Sequence, residues 1–185
     1  MFTINAYHNP YLRRDQSSHQ AVISLGVDPQ LHLAPAPLAL AIALDRSGSM
    51  EGAKLRAARE GAIKVIEALA PEMMFLIVTF NTTAQSFGPF LATREKKRVA
   101  IDTINQMYAS GGTCMSTALN QIVDRMGQDT TRSLNILFLT DGRNESESRQ
   151  ALDQAVARCS RAQASISAWG IGTDWDETEL RHLAD

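Results

Sequence analysis

Asp45-Arg46-Ser47-Gly48-Ser49-Met50 sets one carboxylate and two hydroxyls at positions i, i+2 and i+4. The segment follows an apolar run, Leu38 to Leu44, and precedes a helix-forming stretch, Lys54 to Ala70. It therefore reads as the loop leaving the carboxyl end of a strand, which is where open α/β sheets bind ligands. An all-oxygen set of mixed charge suits a hard divalent cation such as Mg²⁺. Asp and Ser also favour turns and helix N-caps, so this segment alone fits a plain strand-to-helix joint equally well.

Two further segments change that balance. Gly111-Gly112-Thr113-Cys114-Met115-Ser116 is a glycine turn followed by a hydroxyl, just ahead of a helical pattern at Leu119, Ile122, Val123 and Met126. Thr140-Asp141-Gly142 follows a second apolar run, Leu134 to Leu139. If the strands are parallel, three loops bring Asp45, Ser47, Ser49, Thr113 and Asp141 to one edge of a sheet. Bare turns would not need an acid or a hydroxyl in each loop, and the metal reading prevails.

The elements that must position these loops alternate along the chain. Leu38 to Leu44 is continuously apolar, as expected of a parallel strand buried on both faces. Leu55, Ala58, Ala62, Val65, Ile66 and Leu69 recur at helical spacing, and Pro71 ends that helix. Met74 to Phe80 is the next strand, and Ala84 to Phe87 a weaker one that Pro89 confines to an edge or an end. Thr93 caps a helix reaching about Met107, with Val99, Ile101 and Ile104 inward. Met115 to Met126 is a helix, Leu134 to Thr140 a strand, Glu147 to Ala162 a helix and Ile166 to Ile171 the last strand. A final helical turn starts at Thr173 or Asp174. This alternation implies an α/β fold, a mostly parallel sheet with helices on both faces. Met73, Met74, Met107, Met115 and Met126 read as core filler, whereas Met50, beside the metal loop, is expected at the site's exposed rim.

Asp45-x-Ser47-x-Ser49, Thr113 and Asp141, in that order and with the flanking text LDRSGSM, SGGTCMSTAL and FLTDG, resemble the metal-ion-dependent adhesion site of von Willebrand factor type A (VWA) domains. The likeness runs from about Pro37 to Asp185. It implies a doubly wound, Rossmann-like sheet of about six strands with one short antiparallel edge strand. It also implies a Mg²⁺ site, with Mn²⁺ or Ca²⁺ as substitutes, whose shell is completed by an Asp or Glu of a partner protein. Hydroxyl ligands leave the ion only just neutralised, so an incoming carboxylate gains charge compensation. Gly48 and Gly111-Gly112 are expected to let the loops approach closely, and Asp45 to accept backbone N–H groups of its own loop. Arg46, Glu51, Arg143 and Glu145 are candidates for tuning partner choice, or simply solvated loop charges. The final family helix is expected to be cut short, leaving apolar surface near Ile171 and Leu180.

The first 36 residues lie outside the likeness. Residues 1–19 are read as an irregular arm. Ala21 to Val27 and Gln30 to Leu33 are β-prone without an evident partner, and Ala34-Pro35-Ala36-Pro37 is a stiff connector. The organisation expected is a β arm at 1–36, mobile or paired with another copy, followed by a VWA domain at 37–185.

Other functions are disfavoured by composition and motif. With 185 residues, 44% hydrophobic and 21% charged, the chain suits one soluble domain. A net charge of −2 gives no case for nucleic acid or an anionic membrane as partner. Lys96-Lys97-Arg98 reads as a solvated helix face. No segment approaches the ~20 apolar residues of a membrane span, and the N-terminus lacks the layout of a secretory signal. Cys114 and Cys159 are expected as free thiols in a reducing cytoplasm. His8, His19, His32 and His182 form no cluster. A haloacid-dehalogenase-type phosphatase would need an acid at position 47, which is Ser. The Gly-x-Ser-x-Gly elbow and the Gly-Lys-Ser/Thr loop are absent. The expectation is thus a non-enzymatic interaction module. The alternative is an adaptor of a MoxR-like or chelatase-like AAA+ ATPase, which bacterial relatives of this type resemble.

Overall fold

In a computed structural model the described residues are 2–8, 21–27, 37–144 and 146–184, the first two segments as backbone only. The chain forms two compact units, Met1–Pro35 and Ala36–Asp185. In the first, β1 (Phe2–His8) pairs antiparallel with β2 (Ala21–Val27) from Phe2 opposite Val27 to His8 opposite Ala21. The expected irregular arm at 1–19 is thus corrected in part, and Ala21–Val27 has its partner within the chain. Phe2, Ile4 and Ala6 alternate with Thr3, Asn5 and Tyr7, a period of two masked by the polar residues that follow. Gln30 to Leu33 and the start of the proline connector lie outside the described residues.

The second unit is built on a sheet ordered β5-β4-β3-β6-β7: β5 (Ala84–Leu91), β4 (Met74–Phe80), β3 (Leu38–Asp45), β6 (Ser133–Thr140) and β7 (Ser165–Gly170). All neighbouring pairs are parallel except β4 with β5, which makes β5 the antiparallel edge. The doubly wound, mostly parallel α/β fold is the one expected, with five strands in this sheet among the described residues against about six anticipated.

Successive residues of β3 feed opposite faces. Ala41 and Ala43 join a core with Phe80, Leu119, Ile122, Phe138 and Leu152, under α3 (Met115–Met126) and α4 (Arg149–Arg161). Ile42 and Leu44 join another with Ile66, Phe75, Ile77 and Ile104, under α1 (Ala53–Ala68) and α2 (Arg94–Asn105). Burial on both faces is why β3 tolerates no polar residue before Asp45.

Local details refine the expected helices. Thr93 caps α2, its hydroxyl accepting from Lys96 N at 3.3 Å. Val99 is exposed rather than inward, because Ala100 and Ile104 carry the buried stripe. Lys97 is not a solvated charge: its ammonium donates to the carbonyls of Glu67 (3.0 Å) and Leu69, closing the end of α1. Lys96 lies over the Phe90 ring. The last helix, α5 (Glu177–Ala184), begins later than expected, since Asp176 Oδ1 accepts from Thr178 N (2.9 Å) and Glu179 N (3.1 Å) and so sets its start. Leu180 and Leu183 of α5 are buried, while Trp169 of β7 and Trp175 just ahead of α5 are exposed, so apolar surface does lie at this edge of the sheet.

Candidate metal centre

Strand β3 lies between β4 and β6, and the chain winds away from it in both directions, so loops diverge at its carboxyl end. Asp45 ends β3. Its parallel neighbour β6 runs in step with it, Leu44 opposite Leu139, and ends at Thr140, the residue before Asp141. The two acids thus leave adjacent strands at one edge, as the parallel arrangement required.

Both are fully buried, and Ser47 and Thr113 nearly so, while Ser49 is half-buried. Asp45 is held at each oxygen. Oδ1 accepts Ser47 N at 2.8 Å, the loop hydrogen bond expected, and Oδ2 accepts Thr140 Oγ1 at 2.5 Å. Thr140 Oγ1 in turn accepts Gly142 N at 3.0 Å, so one hydroxyl ties the Asp45 carboxylate to the Asp141 loop. Burial pushes the Asp45 carboxyl above its ordinary pKa, and nearby Asp141 adds to that, although the Thr140 and Ser47 hydrogen bonds act against it.

The hydroxyls of Ser47 and Ser49 are 3.1 Å apart. Neither does the work of a joint. Ser47 precedes the 3₁₀ turn Gly48–Met50 without a side-chain cap, and the residue before α1 is Gly52. The residue before α3 is Cys114, again with no side-chain cap, so Thr113 is not a helix cap either. None of these hydroxyls is used as a helix cap.

The Thr113 loop is clasped to the Ser47 loop by two backbone hydrogen bonds, Gly48 N to Gly111 O and Ser110 N to Arg46 O, each 2.8 Å. A side chain on Gly48 would meet that same Gly111 oxygen at 3.3 Å, and Gly111 has φ +76°, a conformation natural to glycine. Asn81, just past β4, accepts Cys114 N with its carbonyl and donates its amide to Ser110 O, both at 2.8 Å. On the other side Ser146 N donates to Thr113 O at 3.1 Å, and Glu147 accepts both Ser116 N (3.1 Å) and the Ser116 hydroxyl.

Lys54, in the first turn of α1, reaches Asp141 Oδ2 at 3.0 Å and Asp174 Oδ1 at 2.8 Å. Burial opposes its charge, but the hydrogen bonds to Asp174 and Asp141 outweigh it and raise its pKa. Asp174 is held below the usual carboxylate range, chiefly by Lys54, and also pairs with Arg143 at 2.8 Å.

Of the expected rim residues, Met50 is fully buried, packed in the core shared with α1, because the 3₁₀ turn brings it back under the loop. Arg46 donates to Ser110 Oγ at 3.4 Å, Glu51 is exposed, and Glu145 lies outside the described residues. Thr140, Lys54, Asn81 and Glu147 were not anticipated as site residues. Thr140 and Asn81 had a signal, a polar residue at the end of an apolar strand.

Among the described residues no group of three or more His, Cys, Asp or Glu is placed to hold a metal. The donors assembled here are two carboxylates with hydroxyls, a set for a hard cation rather than Zn²⁺ or Cu⁺. Buried carboxylates of this kind are normally paired or bound to metal, and the residues fit such an ion.

The model of the von Willebrand factor type A domain matches residues 39–185. Human inter-alpha-trypsin inhibitor heavy chain H4 is 30% identical over 161 residues, covering 80% of this chain. This chain spans only 17% of that protein's length. A von Willebrand factor type A structure from Catenulispora acidiphila superposes with a TM-score of 0.84 at 26% identity, over 99% of this chain and 43% of that one. Proximal thread matrix protein 1 from mussel byssus, with a zinc-occupied MIDAS motif, shares the fold, with a TM-score of 0.65 at 18% identity over 80% of this chain and 39% of that one.

Proposed function

Since the chain belongs to the von Willebrand factor type A domain family, we propose that it is a divalent-metal-dependent protein-interaction module. Asp45, Ser47, Ser49, Thr113 and Asp141 hold one Mg²⁺, for which Mn²⁺ or Ca²⁺ can substitute. A carboxylate from an Asp or Glu of a partner protein completes the shell. The observation carrying this reading is that two fully buried acids stand among serine and threonine hydroxyls that cap no helix. The ion supplies an electrophilic centre; the chain supplies its charge and its placement. The zinc in the mussel protein's motif supports a metal in this family position.

No catalytic role is assigned. Ser47 stands where a phosphatase of this layout needs an acid, and His182 is engaged with Asp153 at 2.7 Å. Among the described residues no helix is long and apolar enough to cross a membrane. A cytoplasmic setting is part of the proposal and rests on the two free cysteines.

Calorimetric titration of chelator-treated protein with Mn²⁺ tests the site. About one ion should bind, weakly in the absence of a partner. Ser49→Ala should weaken binding and Asp45→Ala abolish it, with circular dichroism unchanged. Undiminished binding in Asp45→Ala would sink the assignment. Capture of partners with and without chelator then separates a free-standing interaction module from an ATPase adaptor.

A further inference from the structure

The Lys54 ammonium is placed where a metal site can least afford it. It sits at hydrogen-bond distance from one oxygen of Asp141, and Asp174 is its other anionic contact. Asp174 is half exposed and shared with Arg143, so it screens Lys54 incompletely. Asp45 and Asp141 together would balance a divalent ion, but Lys54 already draws on the charge of Asp141. Like charges a few ångströms apart in a partly buried site repel strongly, and the ion's own charge dominates such a site.

We propose that Lys54 is a built-in competitor of the metal, lowering the site's affinity for the bare ion and leaving the bound ion short of negative charge, so that an acidic ligand is needed to complete it. This deepens the metal-site reading and rests on it. Lys54 acts through Asp141; Asp174 tunes it by drawing the ammonium the other way. The exchange is one of charge and position alone. The two substitutions therefore act in opposite directions. Removing the ammonium frees Asp141 for the ion, whereas removing the Asp174 carboxylate leaves Lys54 to Asp141 alone. A residue that merely supported the loop would weaken metal binding when removed.

The test is Mn²⁺ titration of the full chain, in chloride and in acetate of equal ionic strength, on wild type, Lys54→Met, Asp174→Asn and the double variant. Changes around a metal's ligands commonly shift affinity about 10–100-fold. Lys54→Met should bind Mn²⁺ about tenfold tighter and Asp174→Asn severalfold weaker, with the double variant matching Lys54→Met. Acetate should improve Mn²⁺ binding more in wild type than in Lys54→Met, and Lys54→Arg should behave as wild type. Asp174 is exposed, so Asp174→Asn keeps the test open should Lys54→Met fold poorly. Equal or weaker binding by Lys54→Met, tighter binding by Asp174→Asn, or an acetate effect equal in both proteins, overturns the role of Lys54 alone. Absence of Mn²⁺ uptake in every protein overturns the metal site itself, and this inference with it.

Discussion

Thr140 Oγ1 donates to Asp45 Oδ2 at 2.5 Å while accepting Gly142 N at 3.0 Å, so a side chain that binds no ion in the proposal ties the Asp45 carboxylate to the loop that carries Asp141. Thr140→Val keeps the shape but removes both bonds. It leaves the Asp45 oxygen and the Gly142 amide unpaired in a buried place, a loss of about 1–3 kcal/mol. Mn²⁺ affinity should fall about tenfold, as for other residues that orient ligands. Chemical denaturation and calorimetry check the two effects, and wild-type values for both would remove Thr140 from the site.

Asp45 carries a pH dependence whose sign follows from its burial. Its folded-state pKa lies above the unfolded one. The metal-free fold therefore gains from this group below the ordinary carboxyl pKa and loses that gain as pH rises through the raised value. Metal uses the ionised form and reverses the trend. The rise in melting temperature produced by Mn²⁺ should grow as pH rises from the ordinary carboxyl pKa toward neutrality and vanish in Asp45→Asn. A Mn²⁺ effect flat across that window contradicts this account. Asp129 and Asp174, whose pKa values are lowered, are exposed and contribute little against it.

Gly142 offers a probe of the Asp141 loop that touches no proposed ligand. Its φ is +78°, and a Cβ there would meet Asp176 O at 2.9 Å and Asp176 N at 3.0 Å. These are backbone atoms just ahead of α5, and Asp176 N donates to Asp141 O. Gly142→Ala should cost about 1–3 kcal/mol and weaken Mn²⁺ binding. Thermal melts with and without Mn²⁺ would show both, and an unchanged melting temperature would mean the loop yields freely.

The cysteines should be inert. Cys159 is buried and its thiol is pushed up to about 11 by burial. Cys114 is also raised, chiefly by burial, and its Sγ donates to Ser146 O at 3.2 Å. Iodoacetamide at about pH 8 should label neither in the native protein and both in denaturant. Native labelling of Cys159 at the rate of a free thiol would show that the sheet face under α4 opens readily.

What could be read from the chain beforehand was whatever repeats along it. The apolar run of β3, the capping Thr93 and the limits of α3 follow from periodicity and local hydrogen bonding. The convergence of Asp45 and Asp141 followed from strand parallelism alone. Hidden were relations across space. Nothing in the text near Lys54 announces Asp141 or Asp174, respectively 87 residues away by hydrogen bond and beyond. Met50 defeated the reading because a 3₁₀ turn, not a continuing loop, follows Ser47. The strand at Phe2–His8 was obscured by the polar residues that follow it.

The reciprocal bonds between Arg46 and Ser110 and between Gly48 and Gly111 hold two sequence-distant loops together, which in the proposed site makes them a single chelating arm. An ion arriving at Ser47 finds Thr113 already tethered, rather than having to collect it from a wandering loop. The entropy of bringing these donors together was spent when the chain folded, so an incoming ion meets a high effective concentration of hydroxyls. Exchange of the ion should therefore be limited by stripping its own water shell, which Mg²⁺ gives up reluctantly, and only slightly by motion of the protein.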